Sequence, residues 1–276
     1  MTILDIDADA WAANLDRAPF RIRHHLRSEN RMTAESLAVL TERMPESAVE
    51  HNLGKLPALH YAAPTQRADA TPAQILRTPD FLGSWMAIKN IEQDPAYRDL
   101  LLTCLDDVPA TDGVPFPRHN EQGFIFVSAN HSVTPSHTDP EENFLLQIQG
   151  TKEITIGSWP DEESKQREME RKLHGGHRYI PTLPANPQKF RLEPGDGVYV
   201  PPNAPHMVEV FDEPSISLSV TFRTPAVDLF DDVVYLNGHL RRLGINPRPP
   251  GENARIDQTK ALAMRIRHRV MRWRGQ

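Results

Sequence analysis

Twelve histidines occur in this 276-residue chain, and His137 stands apart because Asp139 follows it in the run Thr134-Pro135-Ser136-His137-Thr138-Asp139. On an extended strand, residues two apart leave the same face, so an imidazole and a carboxylate at this spacing can grip one cation. His-x-Asp alone is a common pair of neighbours. A third donor is available in His206, which follows Pro201-Pro202-Asn203-Ala204-Pro205. Two imidazoles and one carboxylate on one side of a metal leave its other positions open, a donor set suited to non-haem Fe(II) and dioxygen chemistry.

Elements must bring these residues together, and the hydropathy pattern changes character along the chain. The first 110 residues read as mainly helical. Thr33, Thr71-Pro72 and Asp94-Pro95 are helix-start signals, and Tyr97, Leu100, Leu101, Cys104 and Leu105 fall at helical spacing. From Gly123 the period becomes that of strands, with runs at 123–128, 143–149, 152–156, 189–192, 197–200, 206–211 and 215–222. The last alternates Ile216, Leu218, Val220 and Phe222 with Ser215, Ser217, Ser219 and Thr221, giving one apolar and one hydroxyl face. Short, regularly spaced strands predict a mainly β sandwich or jelly-roll barrel. A charged insertion over 159–188 interrupts them, with a predicted helix at 162–173. His174-Gly175-Gly176-His177 lies in it and reads as a flexible turn, not a metal pair. Residues 257–273 predict a helix with Leu262, Ile266, Val270 and Trp273 on one stripe among arginines. The expected division is a helical and strand region over 1–117, a barrel over 118–230 and a helical tail over 231–276.

Composition narrows the class. Hydrophobic residues make up 39% and charged residues 25%, with a net charge of −6. These values fit a soluble globular chain and give no overall argument for nucleic acid or membrane. The lone Cys104 excludes an internal disulfide and fits a reducing, cytoplasmic setting. Its place on a helical stripe marks it as core. No run of 18 apolar residues occurs, and the first 13 residues lack the basic and apolar segments of a secretory signal.

Two motifs carry a resemblance. Pro194-Gly195-Asp196-Gly197 followed by residues 198–206 resembles the second cupin motif, with Asn203 at a position often held by glycine and Val210 at one often held by asparagine. The pattern Thr134-Pro-x-His137-x-Asp139-x-x-x-Asn143-Phe144-x-x-Gln147-Ile148-x-Gly150-x-Lys152 resembles the jumonji-C hydroxylases, most closely the asparaginyl hydroxylase acting on hypoxia-inducible factor. The resemblance implies a double-stranded β-helix core. It implies Fe(II) held by His137, Asp139 and His206 as the catalytic centre, and 2-oxoglutarate held by Lys152 with Thr134 and Asn143. Thr221, on the hydroxyl face, is a further candidate lining residue.

The expected activity is hydroxylation of a protein or peptide side chain by a 2-oxoglutarate-dependent dioxygenase. A small-molecule hydroxylase with the same cofactors and a non-catalytic jumonji-like binding protein are the alternatives. A homodimer through the C-terminal helix is the expected assembly; that basic helix could instead meet an acidic partner.

Overall fold

The computed structural model describes residues 2–53, 57–59, 69–110 and 114–273. The chain divides into two compact units, one of residues 1–158 and 179–222, the other of residues 159–178 and 223–276.

The first unit holds twelve strands among the described residues: β1 (Leu4–Asp5), β2 (Phe20–His24), β3 (Val49–Leu53), β4 (Ser84–Lys89), β5 (His119–Ser128), β6 (Val133–His137), β7 (Glu142–Gln149), β8 (Lys152–Ser158), β9 (Ala185–Leu192), β10 (Asp196–Val200), β11 (His206–Val210) and β12 (Ser215–Arg223). They form an eight-stranded sheet in the order β1-β2-β10-β7-β12-β5-β4-β3 and a four-stranded sheet in the order β6-β11-β8-β9. All register pairs resolved between them are antiparallel. Two facing antiparallel sheets of this order are the double-stranded β-helix expected above. Leu145, Ile154, Ile156, Phe190, Leu192, Val198 and Val200 fill one apolar cluster, with Phe126, Ala204 and Val208 packed against it. The outer face of the large sheet contributes Phe144, Leu146, Leu218, Val220 and Phe222 to a larger core.

That larger core also takes in the N-terminal helices α1 (Ala8–Asn14), α2 (Ala34–Arg43), α3 (Pro72–Leu76) and α4 (Pro95–Asp106). Their starts are the capping signals read above: the side chains of Thr33, Thr71 and Asp94 accept backbone N–H groups of the first turns. Cys104 is fully buried, and burial pushes its thiol up to about 12, as suits an inert core position. A mainly helical N-terminus is corrected. Four of the twelve strands, β1 to β4, come from it, and all of them extend the large sheet.

The second unit contains α5 (Glu162–Leu173), α6 (Pro225–Arg242) and α7 (Ala254–Trp273). α5 matches the expected helix, with Asp161 as its cap. His174 stacks on Tyr235 with ring centroids 4.5 Å apart, so the first histidine of the His-Gly-Gly-His run is a packing residue here. On α7 the buried side is Ala261, Met264 and Asp257, whereas Leu262 and Ile266 are more than half exposed. The expected stripe thus faces outward from this unit; the side chains of Val270 and Trp273 lie outside the described residues. No helix among the described residues is long and apolar enough to cross a membrane.

Candidate metal centre

Strand β6 delivers His137 as its last residue, and β11 delivers His206 as its first. The two are direct register partners across the β6–β11 ladder. Directly opposed residues share a face at close range, and the rings accordingly sit with centroids 4.1 Å apart. Asp139 follows β6 and lies beyond its end, not on the strand as the bare His-x-Asp spacing suggested. Its backbone carbonyl accepts the Asn203 N–H at 2.7 Å, tying the loop after β6 to the proline-rich turn before His206. Asn203 holds that turn with φ of 58°, the left-handed conformation that asparagine tolerates better than most residues.

The three side chains converge. His137 Nε2 lies 3.7 Å and His206 Nε2 3.5 Å from the same oxygen, Oδ2 of Asp139. One ligand atom from each lies within 4.8 Å of the others. Donors about 2.1 Å from one metal and at right angles stand about 3 Å apart, so a small contraction around a cation brings this set to bonding distance. Both imidazoles are pre-set for that role. His137 Nδ1 is 2.7 Å from the Pro135 carbonyl and His206 Nδ1 is 2.9 Å from the Ala204 carbonyl. Each Nδ1 must carry the proton to donate there, which leaves the Nε2 lone pair for a metal. The histidines are buried, while the Asp139 side chain is 30% exposed, so the carboxylate side stays open to a small reactant.

Further residues face the interior between the sheets. Lys152 opens β8, is 2% exposed and sends its Nζ 2.7 Å to the Oγ of Ser217 on β12. No carboxylate pairs with it among the described residues, and burial alone lowers its pKa to about 7. Ser217 is the register partner of Gln147, whose amide nitrogen donates to the Gln149 and Gly150 carbonyls and to Ser215 Oγ. Those three bonds fix the amide, and its buried Oε1 has no partner among the described residues. Asn143 and Thr221 are also register partners and are both buried. The Asn143 Oδ1 is buried without a partner among the described residues, whereas Thr221 Oγ1 donates to the Gln122 carbonyl at 3.0 Å. Thr134 lies on β6 opposite Val208 and is half-buried.

Sequence reasoning left Ser217 and Tyr179 unassigned. The alternation of β12 marked Ser217 as one of four hydroxyls on one face, without saying which meets Lys152. Tyr179 makes an isolated antiparallel bridge with His137, and nothing local in the sequence connects residues 42 positions apart.

Residues 118–229 match the JmjC domain. That segment contains all three putting-together elements of the cluster: β6, the loop after it and β11. No curated protein matches this chain in sequence. Among solved structures, the ribosomal oxygenase YcfD of Escherichia coli, in complex with cobalt and 2-oxoglutarate, is similar over 97% of this chain and 68% of its own length. The identity is 16% and the TM-score 0.56. A second crystal structure of the same Escherichia coli protein aligns over the same shares at 18% identity with a TM-score of 0.53. At these identities the likeness is one of fold: a JmjC-like, cupin-type β-helix with flanking helices.

Proposed function

We propose that this chain is an Fe(II)- and 2-oxoglutarate-dependent oxygenase. The observation that carries the reading is the buried Lys152 amine, which among the described residues is served by one hydroxyl and no carboxylate. An uncompensated buried cation is costly, and an anionic ligand removes that cost. A metal site formed for hydrolysis alone leaves Lys152 without a reason. A 2-oxo dicarboxylic acid would account for both places, one end as a metal chelator and the other as the partner of Lys152. The YcfD complex with cobalt and 2-oxoglutarate supports the pairing of this fold with these two ligands.

His137, Asp139 and His206 would hold the metal, and the net charge of one carboxylate with two neutral imidazoles leaves it attractive to an anionic chelator. Iron held there would supply dioxygen activation, the chemistry that oxidatively decarboxylates 2-oxoglutarate to succinate and carbon dioxide. The protein's part is placement. Pro135 and Ala204 carbonyls fix the imidazole tautomers, and Asn203 fixes the backbone of Asp139. Lys152 and Ser217 anchor the far carboxylate, while Asn143 offers an unpartnered buried carbonyl oxygen to a donor group. The apolar cluster around Ile154, Ile156 and Val200 keeps bulk water from the interior.

The substrate reading is a protein or peptide side chain that is hydroxylated. It is supported by the resemblance of residues 134–152 to a protein asparaginyl hydroxylase and by the JmjC match. The test is an anaerobic titration of the Fe(II)-loaded full chain with 2-oxoglutarate, read as a visible metal-to-ligand absorption band. A saturable band supports the reading, and its absence at millimolar 2-oxoglutarate overturns it. Mass spectrometry for added oxygen on candidate peptides, set against free amino acids, decides the substrate class.

A further inference from the structure

Strand β6 has one full ladder, with β11, and among the described residues its other side is held by a few backbone contacts. Ser136 N–H donates to the Ala58 carbonyl at 2.9 Å, and Ile180 N–H donates to the Ser136 carbonyl at 3.0 Å. A further contact is the antiparallel bridge between His137 and Tyr179. Tyr179 is the residue at which the chain re-enters the first unit after residues 159–178. Residues paired directly across an antiparallel bridge project their side chains to the same face. Tyr179 therefore stands on the face that carries the metal-binding imidazole. Its ring meets the His137 ring edge-on, with centroids 6.3 Å apart and planes at 66°.

We propose that Tyr179 is a positioning residue of the metal centre, its ring walling the His137 imidazole into the orientation in which Nε2 faces Asp139. The inference rests on the metal-centre reading of His137, Asp139 and His206, but not on 2-oxoglutarate. Three directions in which the imidazole could swing are each opposed. The Pro135 carbonyl holds Nδ1, the His206 ring lies across the ladder, and the Tyr179 ring stands edge-on to the imidazole. Edge-to-face aromatic pairs at this separation are favourable and directional, so the contact resists rotation as well as filling space. Groups that orient a metal-bound histidine commonly change metal affinity by about ten- to a hundredfold when removed. The ring makes the contact with His137, and phenylalanine keeps that ring.

The experiment uses the full chain and Co(II) as the probe, followed through the d–d absorption bands and calorimetric Kd, with thermal unfolding of each metal-free variant alongside. Tyr179→Phe should bind Co(II) within about twofold of the parent, and Tyr179→Ala should bind about tenfold or more weakly with altered d–d bands. Tyr179→Leu keeps bulk at the position and guards against an alanine variant that does not fold; it too should bind weakly. If the alanine and leucine variants bind Co(II) as the parent does, or if phenylalanine loses as much as they do, the proposal is overturned. Failure of the parent itself to bind Co(II) overturns the metal-centre reading instead, and a normal Co(II) result without a 2-oxoglutarate band overturns only the co-substrate.

Discussion

Lys152 Nζ and Ser217 Oγ, 65 residues apart in sequence, meet at 2.7 Å inside the barrel with no carboxylate beside them among the described residues. The hairpin at Gly150-Thr151 starts β8 at Lys152, and the register of β12 against β7 puts Ser217 opposite Gln147. Two separate strand pairings thus build one buried amine–hydroxyl pair.

The first consequence concerns pH. Burial lowers Lys152 to about 7, and a bound carboxylate favours the charged form, so loading above pH 7 takes up a proton. The Kd for 2-oxoglutarate should be flat below about pH 6.5 and rise about tenfold per unit between about pH 7.5 and 9.5. Isothermal titration in buffers of different ionisation enthalpy should count about one proton taken up at pH 8.5. Lys152→Met should lose about a hundredfold in affinity together with this pH dependence. A Kd constant through pH 9 in the parent excludes the pairing.

Ser217→Ala deletes the hydroxyl that Lys152 Nζ meets at 2.7 Å while leaving the strand intact. A single hydrogen bond to a charged group is worth about 1.5–3 kcal/mol, so the visible-band titration should show about ten- to a hundredfold weaker 2-oxoglutarate binding. Ser217→Thr keeps the hydroxyl and should retain most of the affinity. Equal weakening in both variants points to crowding of the strand and removes Ser217 from the cradle.

Asp139 is the shared partner of both histidine Nε2 atoms, so its removal should undo the site rather than tune it. Asp139→Ala should bind Fe(II) at least about a hundredfold more weakly and consume no 2-oxoglutarate. Chelation of the parent should give the same loss, and added Fe(II) should reverse it. The variant's thermal midpoint in the metal-free state should stay near the parent's, because a 30% exposed carboxylate contributes little to packing. Consumption of 2-oxoglutarate by Asp139→Ala at the parental rate is incompatible with this assignment.

Much of the site was legible because its chemistry is written in short spacings. His137 and Asp139 are two residues apart, His206 follows a turn marked by three prolines, and Lys152 falls inside one nineteen-residue pattern. Ser217 was visible only as one of a row, since alternation gives a face but not the rung. Tyr179 was invisible, because its role comes from a bridge across 42 residues. The N-terminal strands divide in the same way. β2 alternates buried Phe20, Ile22 and His24 with exposed Arg21 and Arg23, a period-two signal overshadowed by the helix caps around it. β4 is buried on both faces and has no alternation to read. On α7 the spacing of Leu262 and Ile266 was right for a stripe, but periodicity cannot say which stripe of a helix its own unit covers.

Gly150 links fold to site. It sits at φ of 71°, and a Cβ there would come within 2.2 Å of the Pro214 carbonyl oxygen. Its own carbonyl accepts a hydrogen bond from Gln147. Gly150→Ala combines a left-handed strain with a backbone clash, and should cost about 2–4 kcal/mol of stability. Because the turn sets the start of β8, the variant should also bind 2-oxoglutarate more weakly than its loss of stability explains at temperatures where it remains folded. Denaturant unfolding and the visible-band titration, run on the same sample, measure the two effects separately. An unchanged midpoint means that the turn can relax around a Cβ.

The last expectation concerns a carboxyl outside the metal site. Glu142 is fully buried at the start of β7, and its Oε2 accepts the Tyr199 hydroxyl at 2.5 Å. Burial, with the Asp16 carboxylate next in effect, pushes its pKa up to about 9, although the Tyr199 hydrogen bond works the other way. The folded state therefore keeps a proton that the unfolded chain releases near the ordinary glutamate value of 4.5. Stability from this group is fully present below that value and is lost as pH rises toward 9, by at most about 1.4 kcal/mol per unit. Above 9 both states are ionised and the slope vanishes. Glu142→Gln keeps the shape and a hydrogen-bond acceptor for Tyr199 but cannot ionise. Urea unfolding between pH 5 and 9 should show the parent losing stability relative to Glu142→Gln as pH rises, with the gap widest near the alkaline end. Parallel curves for the two proteins would mean that Glu142 is already ionised at neutral pH in the folded chain.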